Sequence, residues 1–163
     1  MKVQNLRDLL VDELRDLYSA ETQLTKALPK MAKHVHDSKL KEAIQHHLKE
    51  TENHVKRLEQ IFQRLDESPK GKTCAGMQGL IEETDERMSE GGDPETLDAG
   101  IIADAQRVEH YEVSAYGSAR TFANLLREPE VVRLLEETLK EEKNADATLN
   151  RCAETINVEA RAA

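Results

Sequence analysis

Leu6-Arg7-Asp8-Leu9-Leu10-Val11-Asp12-Glu13-Leu14-Arg15-Asp16-Leu17-Tyr18-Ser19-Ala20-Glu21-Thr22-Gln23-Leu24 is the stretch on which the fold turns. Its leucines at 6, 9, 10, 14, 17 and 24, continued by Leu28, recur at helical spacing and mark one apolar face. Asn5, with Asp8 three residues on, resembles an N-cap with a short acidic partner. The helix so begun spans about 5–35. Pro29 removes one backbone donor and is expected to kink or locally open it. Two acids, Glu13 and Glu21, interrupt the apolar face itself. An acid on the core side of a helix needs a reason, because burying an unpartnered carboxylate is costly.

The same pattern continues outward. After Asp37-Ser38 a second helix spans about 38–65, with Leu40, Ile44, Leu48, Val55, Leu58 and Phe62 inward. So short a connection makes the first two helices antiparallel neighbours. Ser68-Pro69-Lys70-Gly71-Lys72 and Gly91-Gly92-Asp93-Pro94 then bracket a short amphipathic helix at about 74–90, marked by Met77, Leu80, Ile81 and Met88. This long connection can cross the whole bundle, so the next helix, about 95–126, starts at the opposite end. Arg127-Glu128-Pro129 is a sharp turn into a last helix, about 129–157. The expectation is one all-α domain over 1–163: an up-down-down-up four-helix bundle whose crossover carries a short extra helix.

Composition agrees. Charged residues make up 34% of the 163 and aromatics 3%, with no Trp, which favours long helices over sheets. A net charge of −9 argues against nucleic acid or an anionic membrane as partner. Cys74 and Cys152 match no zinc or redox spacing and read as reduced thiols. The N-terminal Met1-Lys2-Val3-Gln4-Asn5-Leu6 lacks a leader-like apolar run, and no stretch approaches membrane-spanning length. A soluble, cytoplasmic protein is expected.

The two hairpins superimpose at an offset of 91 residues, an integral number of heptads. Leu10 falls on Ile101, Leu17 on Val108, Glu21 on Glu112, Ile44 on Leu135 and Glu50 on Glu141. The coincident acids are the telling matches, since any two heptad-patterned helices share apolar ones. Glu109 and Glu112 interrupt the third long helix; Glu50 and His54 share a face of the second, as Glu142 and Asp146 do of the fourth. Several acids at one depth repel unless a cation lies between them, and carboxylates with imidazole suit iron or manganese. The candidate ligands are Glu21, Glu50, His54, Glu109, Glu112, Glu142 and Asp146, enough for a di-iron or di-manganese centre. His34, His36, His46, His47 and His110 read as surface; Tyr18, Tyr111 and Tyr116 read most simply as core or boundary residues, with Tyr18 near the acid layer, where it could hydrogen-bond a ligand.

The segments from Asp12 to Glu21 and from Ala105 to Glu112, with His47-Leu48-Lys49-Glu50-Thr51 and Leu139-Lys140-Glu141-Glu142-Lys143, occur in order and at the spacing of a known family. All but the last few residues of the chain resemble the YciF-like family of bacterial ferritin-like, stress-associated proteins. The resemblance implies a ferritin-like bundle, a homodimer, and distant kinship to rubrerythrin and manganese catalase, whose chemistry is di-iron or di-manganese. Glu109-His110-Tyr111-Glu112 is similar to the paired glutamates of the rubrerythrin third helix. Di-metal bundles of that superfamily carry Glu-x-x-His on the second and fourth helices, whereas Asn53 and Asn144 stand three residues after Glu50 and Glu141. Two readings follow: a metal centre handling peroxide, oxygen or iron under stress, or a helical interaction protein with a relict site. Cage-type iron storage would need a fifth C-terminal helix, which the tail from Val158 is too short to supply.

Overall fold

The computed structural model describes residues 3–163; Met1 and Lys2, part of the stretch read above for a leader, lie outside the described residues. Five helices follow in order: α1 (Leu6–His34), α2 (Ser38–Leu65), α3 (Ala75–Glu90), α4 (Pro94–Leu125) and α5 (Pro129–Ala162). Each of the first, second and fourth starts on a side-chain cap that satisfies an otherwise orphaned amide. Asn5 accepts from the Asp8 amide, Asp37 from that of Leu40 and Asp93 from that of Thr96. Pro94 and Pro129 stand at the starts of α4 and α5, where their missing N–H costs nothing.

The turns are held from outside as well. The buried Asp98 carboxylate on α4 accepts from the amides of His36 (3.0 Å) and Asp37 (2.6 Å), fixing the α1–α2 connection. Asp66 closes α2 in the left-handed region at φ 53°, and Arg127 makes the α4–α5 corner at φ 59°. Two expectations are refined. α1 continues as helix past Pro29, so the proline does not end it. α5 continues to Ala162 rather than ending near 157, because the tail of Val158-Glu159-Ala160-Arg161-Ala162 holds mainly good helix formers and extends the existing helix.

α1 packs on α2 and α4 on α5, and the hairpins meet through α1 with α4 and α2 with α5. The crossover helix α3 lies over α1 and α4. Arg87 of α3 ties it down by an ion pair to the buried Asp104 of α4 (2.5 Å). This is the expected all-helical bundle, with the short helix in its crossover. Its core is not continuous. Ala20, Leu24, Leu28, Ile44, Ile101, Ala105, Val108 and Leu149 belong to one apolar cluster. Leu10, Leu14, Leu17, Leu58, Phe62, Tyr116 and Leu139 belong to another. What separates them is a layer of polar side chains. No helix among the described residues is long and apolar enough to cross a membrane.

Candidate metal centre

Each long helix contributes to that layer. α1 supplies Glu21, α2 supplies His47, Thr51 and His54, α4 supplies Glu109 and Glu112, and α5 supplies Glu142, all of them buried. The three α2 residues lie at i, i+4 and i+7, one continuous stripe of that helix. Glu109 and Glu112 are likewise neighbours on one face of α4.

Two groups of donors form within it. His54, Glu21 and Glu142 make one, with His54 Nδ1 3.2 Å from Glu21 Oε1 and 3.0 Å from Glu142 Oε1. His47, Glu109, Glu112 and Glu142 make the other, with His47 Nε2 3.2 Å from Glu109 Oε1 and 3.7 Å from Glu142 Oε2. Glu142 is common to both. In each group the donor atoms lie within 4.8 Å of one another, the crowding a cation requires.

The outer nitrogens of both imidazoles are occupied. His54 Nε2 meets Glu141 at 2.8 Å, and Arg57 in turn donates to Glu141. His47 Nδ1 faces Glu50 at 3.4 Å. A carboxylate on the outer nitrogen orients the ring and holds a proton there, so the inner nitrogen faces the acids and could serve a cation once its own proton leaves. Tyr116 donates its O–H to Glu21 Oε1.

Among the described residues, every buried side-chain oxygen or nitrogen without a hydrogen-bond partner belongs to this layer. The atoms are Glu21 Oε2, His47 Nε2, Thr51 Oγ1, His54 Nδ1, Glu109 Oε2, both oxygens of Glu112 and both of Glu142. Folded proteins rarely leave one such atom bare, and a cluster of them facing one another is an arrangement that a cation could satisfy. The electrostatics agree. Burial, reinforced by the neighbouring acids, raises the Glu112 carboxyl well above its ordinary range. Burial also raises Glu21 and Glu109, against the pull of the histidines. Burial would lower His54, but the charge of Glu21, the bond to Glu141 and the close contact with Glu142 push it up to about 12. His47, opposed in the same way by Glu109 and Glu50, rises to about 9. With protons alone to neutralise it, the layer must hold several.

The candidates read from sequence divide. Glu21, His54, Glu109, Glu112 and Glu142 come together in the layer. Glu50 stands at its edge, beside His47. Asp146 is apart from it, accepting from Gln106 (3.1 Å) and facing His110 (3.3 Å) on the flank of α5. Its place four residues after Glu142 is on the neighbouring strip of the helix, toward α4 rather than the core. His47 is a correction, buried rather than surface; its spacing of seven from His54 was the available signal. Tyr18 is another, since its hydroxyl donates outward to Glu59 while Tyr116 makes the bond to the acid layer. Half-buried Glu13 is also outside the layer, near Lys72.

The chain's relatives carry the same bundle. The family described as domain of unknown function DUF892 matches residues 5–162. Protein YciF of Escherichia coli (strain K12) is 40% identical over 154 residues, which cover 94% of this chain and 93% of that protein. The chain belongs to this YciF-like family. The crystal structure of the E. coli stress protein YciF superimposes with a TM-score of 0.92 at 39% identity, over 94% of this chain and 98% of that one. YcfI of Rhodopseudomonas palustris superimposes at 0.89 with 44% identity, over 91% and 95%. A Xanthomonas campestris protein shares the fold at 21% identity and a TM-score of 0.76, over 94% of each chain. The YciF-like bundle thus spans almost the whole length of its relatives.

Proposed function

We propose that this YciF-like protein binds a pair of divalent first-row metal ions, iron or manganese, and uses them in redox handling of oxygen or peroxide in the cytoplasm under stress. The observation carrying this reading is the set of bare donor atoms, confined to one layer and crowded to coordination spacing. Four buried carboxylates, Glu21, Glu109, Glu112 and Glu142, match the charge of two divalent ions when both histidines are neutral. Oxygen and imidazole donors suit iron and manganese, and the absence of thiolate from either group disfavours copper(I) and structural zinc.

Glu21, His54 and Glu142 would hold one ion, and His47, Glu109, Glu112 and Glu142 the other, Glu142 being common to both sets. Such a pair supplies one-electron chemistry and Lewis acidity when bound. The chain's contribution is orientation and dryness. Glu141, anchored by Arg57, keeps the His54 proton on Nε2. Tyr116, whose proton is held more tightly because it is buried among acids, keeps it and donates that O–H as a hydrogen bond to Glu21 Oε1. Apolar clusters above and below the layer keep bulk water from it along the bundle axis.

Metal analysis of protein purified without chelator tests the reading. About two equivalents of iron or manganese per chain are expected, and loss of uptake in Glu112→Gln and Glu142→Gln. Less than about half an equivalent in every preparation, including protein reconstituted with either metal, overturns it.

A further inference from the structure

The two ends of the polar layer differ in access. At the His54 end, Tyr116, Arg57 and Glu141 close the approach. At the His47 end a cleft of about 520 Å³ opens between α2 and α5, with His47, Glu50 and Glu109 on its inner wall. Ala145 also lines it and is the position that the 91-residue offset matches to His54. A methyl group stands on α5 where the symmetric position on α2 carries an imidazole. Ala105 faces the same space from α4. Small side chains at the junction are what let the cleft reach the donors.

The cleft's chemistry is specific in its throat and mixed at its mouth. Leu28, Ile44, Leu149 and Ile156 make the throat apolar. At the mouth Lys39 and Arg151 are offset by Asp37 and Glu42, so net charge selects little there. Water or hydrogen peroxide needs only about 30 Å³, whereas sites for organic ligands enclose about 300–1,000 Å³. The volume and the apolar throat are therefore surplus to an inorganic substrate.

We infer that this cleft is a binding pocket for an alkyl carboxylate whose head is presented to His47 and Glu109. The inference rests on the metal reading for the head group, since Glu109 repels an anionic head unless a cation intervenes. The alkyl body rests on the throat alone.

Octanoate is the probe, with acetate as control, titrated into metal-free and metal-loaded protein while methyl resonances are followed by NMR. Metal content is measured separately by mass spectrometry. Octanoate is expected to shift the Ile44, Leu149 and Ile156 methyl signals of loaded protein and to bind at least about tenfold more tightly than acetate. Ala145→Phe, filling the inner cleft, and Thr148→Trp, filling it further from the donors, should each weaken octanoate about tenfold at unchanged metal content. Equal affinity for acetate and octanoate, shifts confined to other methyls, or full affinity in a folded filled variant would each overturn the pocket. Octanoate bound at these methyls in protein that takes up no metal would uphold the alkyl site and overturn the head-group contact. Full metal occupancy without octanoate binding would overturn the pocket and leave the metal reading standing.

Discussion

At the scale of the residue, the layer uses two histidines from one helix, turned in opposite senses. His54 offers Nδ1 inward and His47 offers Nε2, because Glu141 and Glu50 occupy the other nitrogens. Glu50 and Glu141 are the pair matched at an offset of 91, so the internal repeat is visible as a repeated role. Replacing Glu141 by Ala frees the His54 ring to rotate and should weaken metal binding about 10–100-fold, measured by competition against a chelator. Glu141→Gln, which keeps an acceptor oxygen, should recover part of the loss; unchanged affinity in Glu141→Ala would show that packing alone positions the ring. Glu112 leaves both oxygens bare, so Glu112→Leu should raise the metal-free melting temperature while abolishing metal uptake. A lower metal-free melting temperature would contradict the idea that this acid is a liability without a cation. The sequence made Glu21 and Glu112 legible, since each breaks an apolar stripe at matched positions. It misplaced the motif register by one residue. Thr51 and His54 share the i, i+3 spacing of Glu-x-x-His, and so do Glu142 and Ala145; all four are buried. Set against the Glu-x-x-His that the family resemblance implies, one half has the histidine and the other the glutamate. Neither is recognisable alone, which is why a search from Glu50 and Glu141 ended on exposed Asn53 and Asn144.

At the scale of the element, the helices were legible because local signals agreed with the apolar pattern: caps at Asn5, Asp37 and Asp93, prolines at 94 and 129, and leucines at helical spacing. What the pattern did not reveal were contacts between elements far apart in sequence. Asp98 belongs to α4 yet completes the α1–α2 turn, and no local signal announces that role. Asp98→Ala leaves the His36 and Asp37 amides without their acceptor and should cost about 1–3 kcal/mol in urea unfolding. A cost no larger than that of an exposed surface substitution would mean that water replaces the carboxylate fully. Arg87 acts similarly on α3, since Asp104, 2% exposed, depends on Arg87 and Arg107 for its charge partners. Arg87→Met should therefore loosen the crossover helix first, raising amide exchange in 75–90 ahead of the bundle. Uniform exchange along the chain would show that α3 is held by its apolar contacts instead.

At the scale of the whole molecule, the acid layer divides a core that would otherwise be one apolar body, and the proposed metal pair would reconcile the two halves. Without metal, the raised histidines and the carboxyls held above their ordinary range keep protons in the layer. Metal needs the same lone pairs, so uptake must expel those protons. Groups whose pKa values are raised in the metal-free fold stay protonated to higher pH than usual, so metal must displace their protons throughout the neutral range, against a competition that weakens as pH rises. Apparent metal affinity should therefore climb steadily from about pH 6 to about pH 8, with protons released on binding in the same range. The gain in melting temperature on adding metal should follow it, because a ligand that binds only the folded chain stabilises by an amount set by its affinity. Calorimetry in buffers of different ionisation enthalpy measures the proton count. Binding that is strong, releases no protons and ignores pH across this range would mean that the ion sits outside the buried layer.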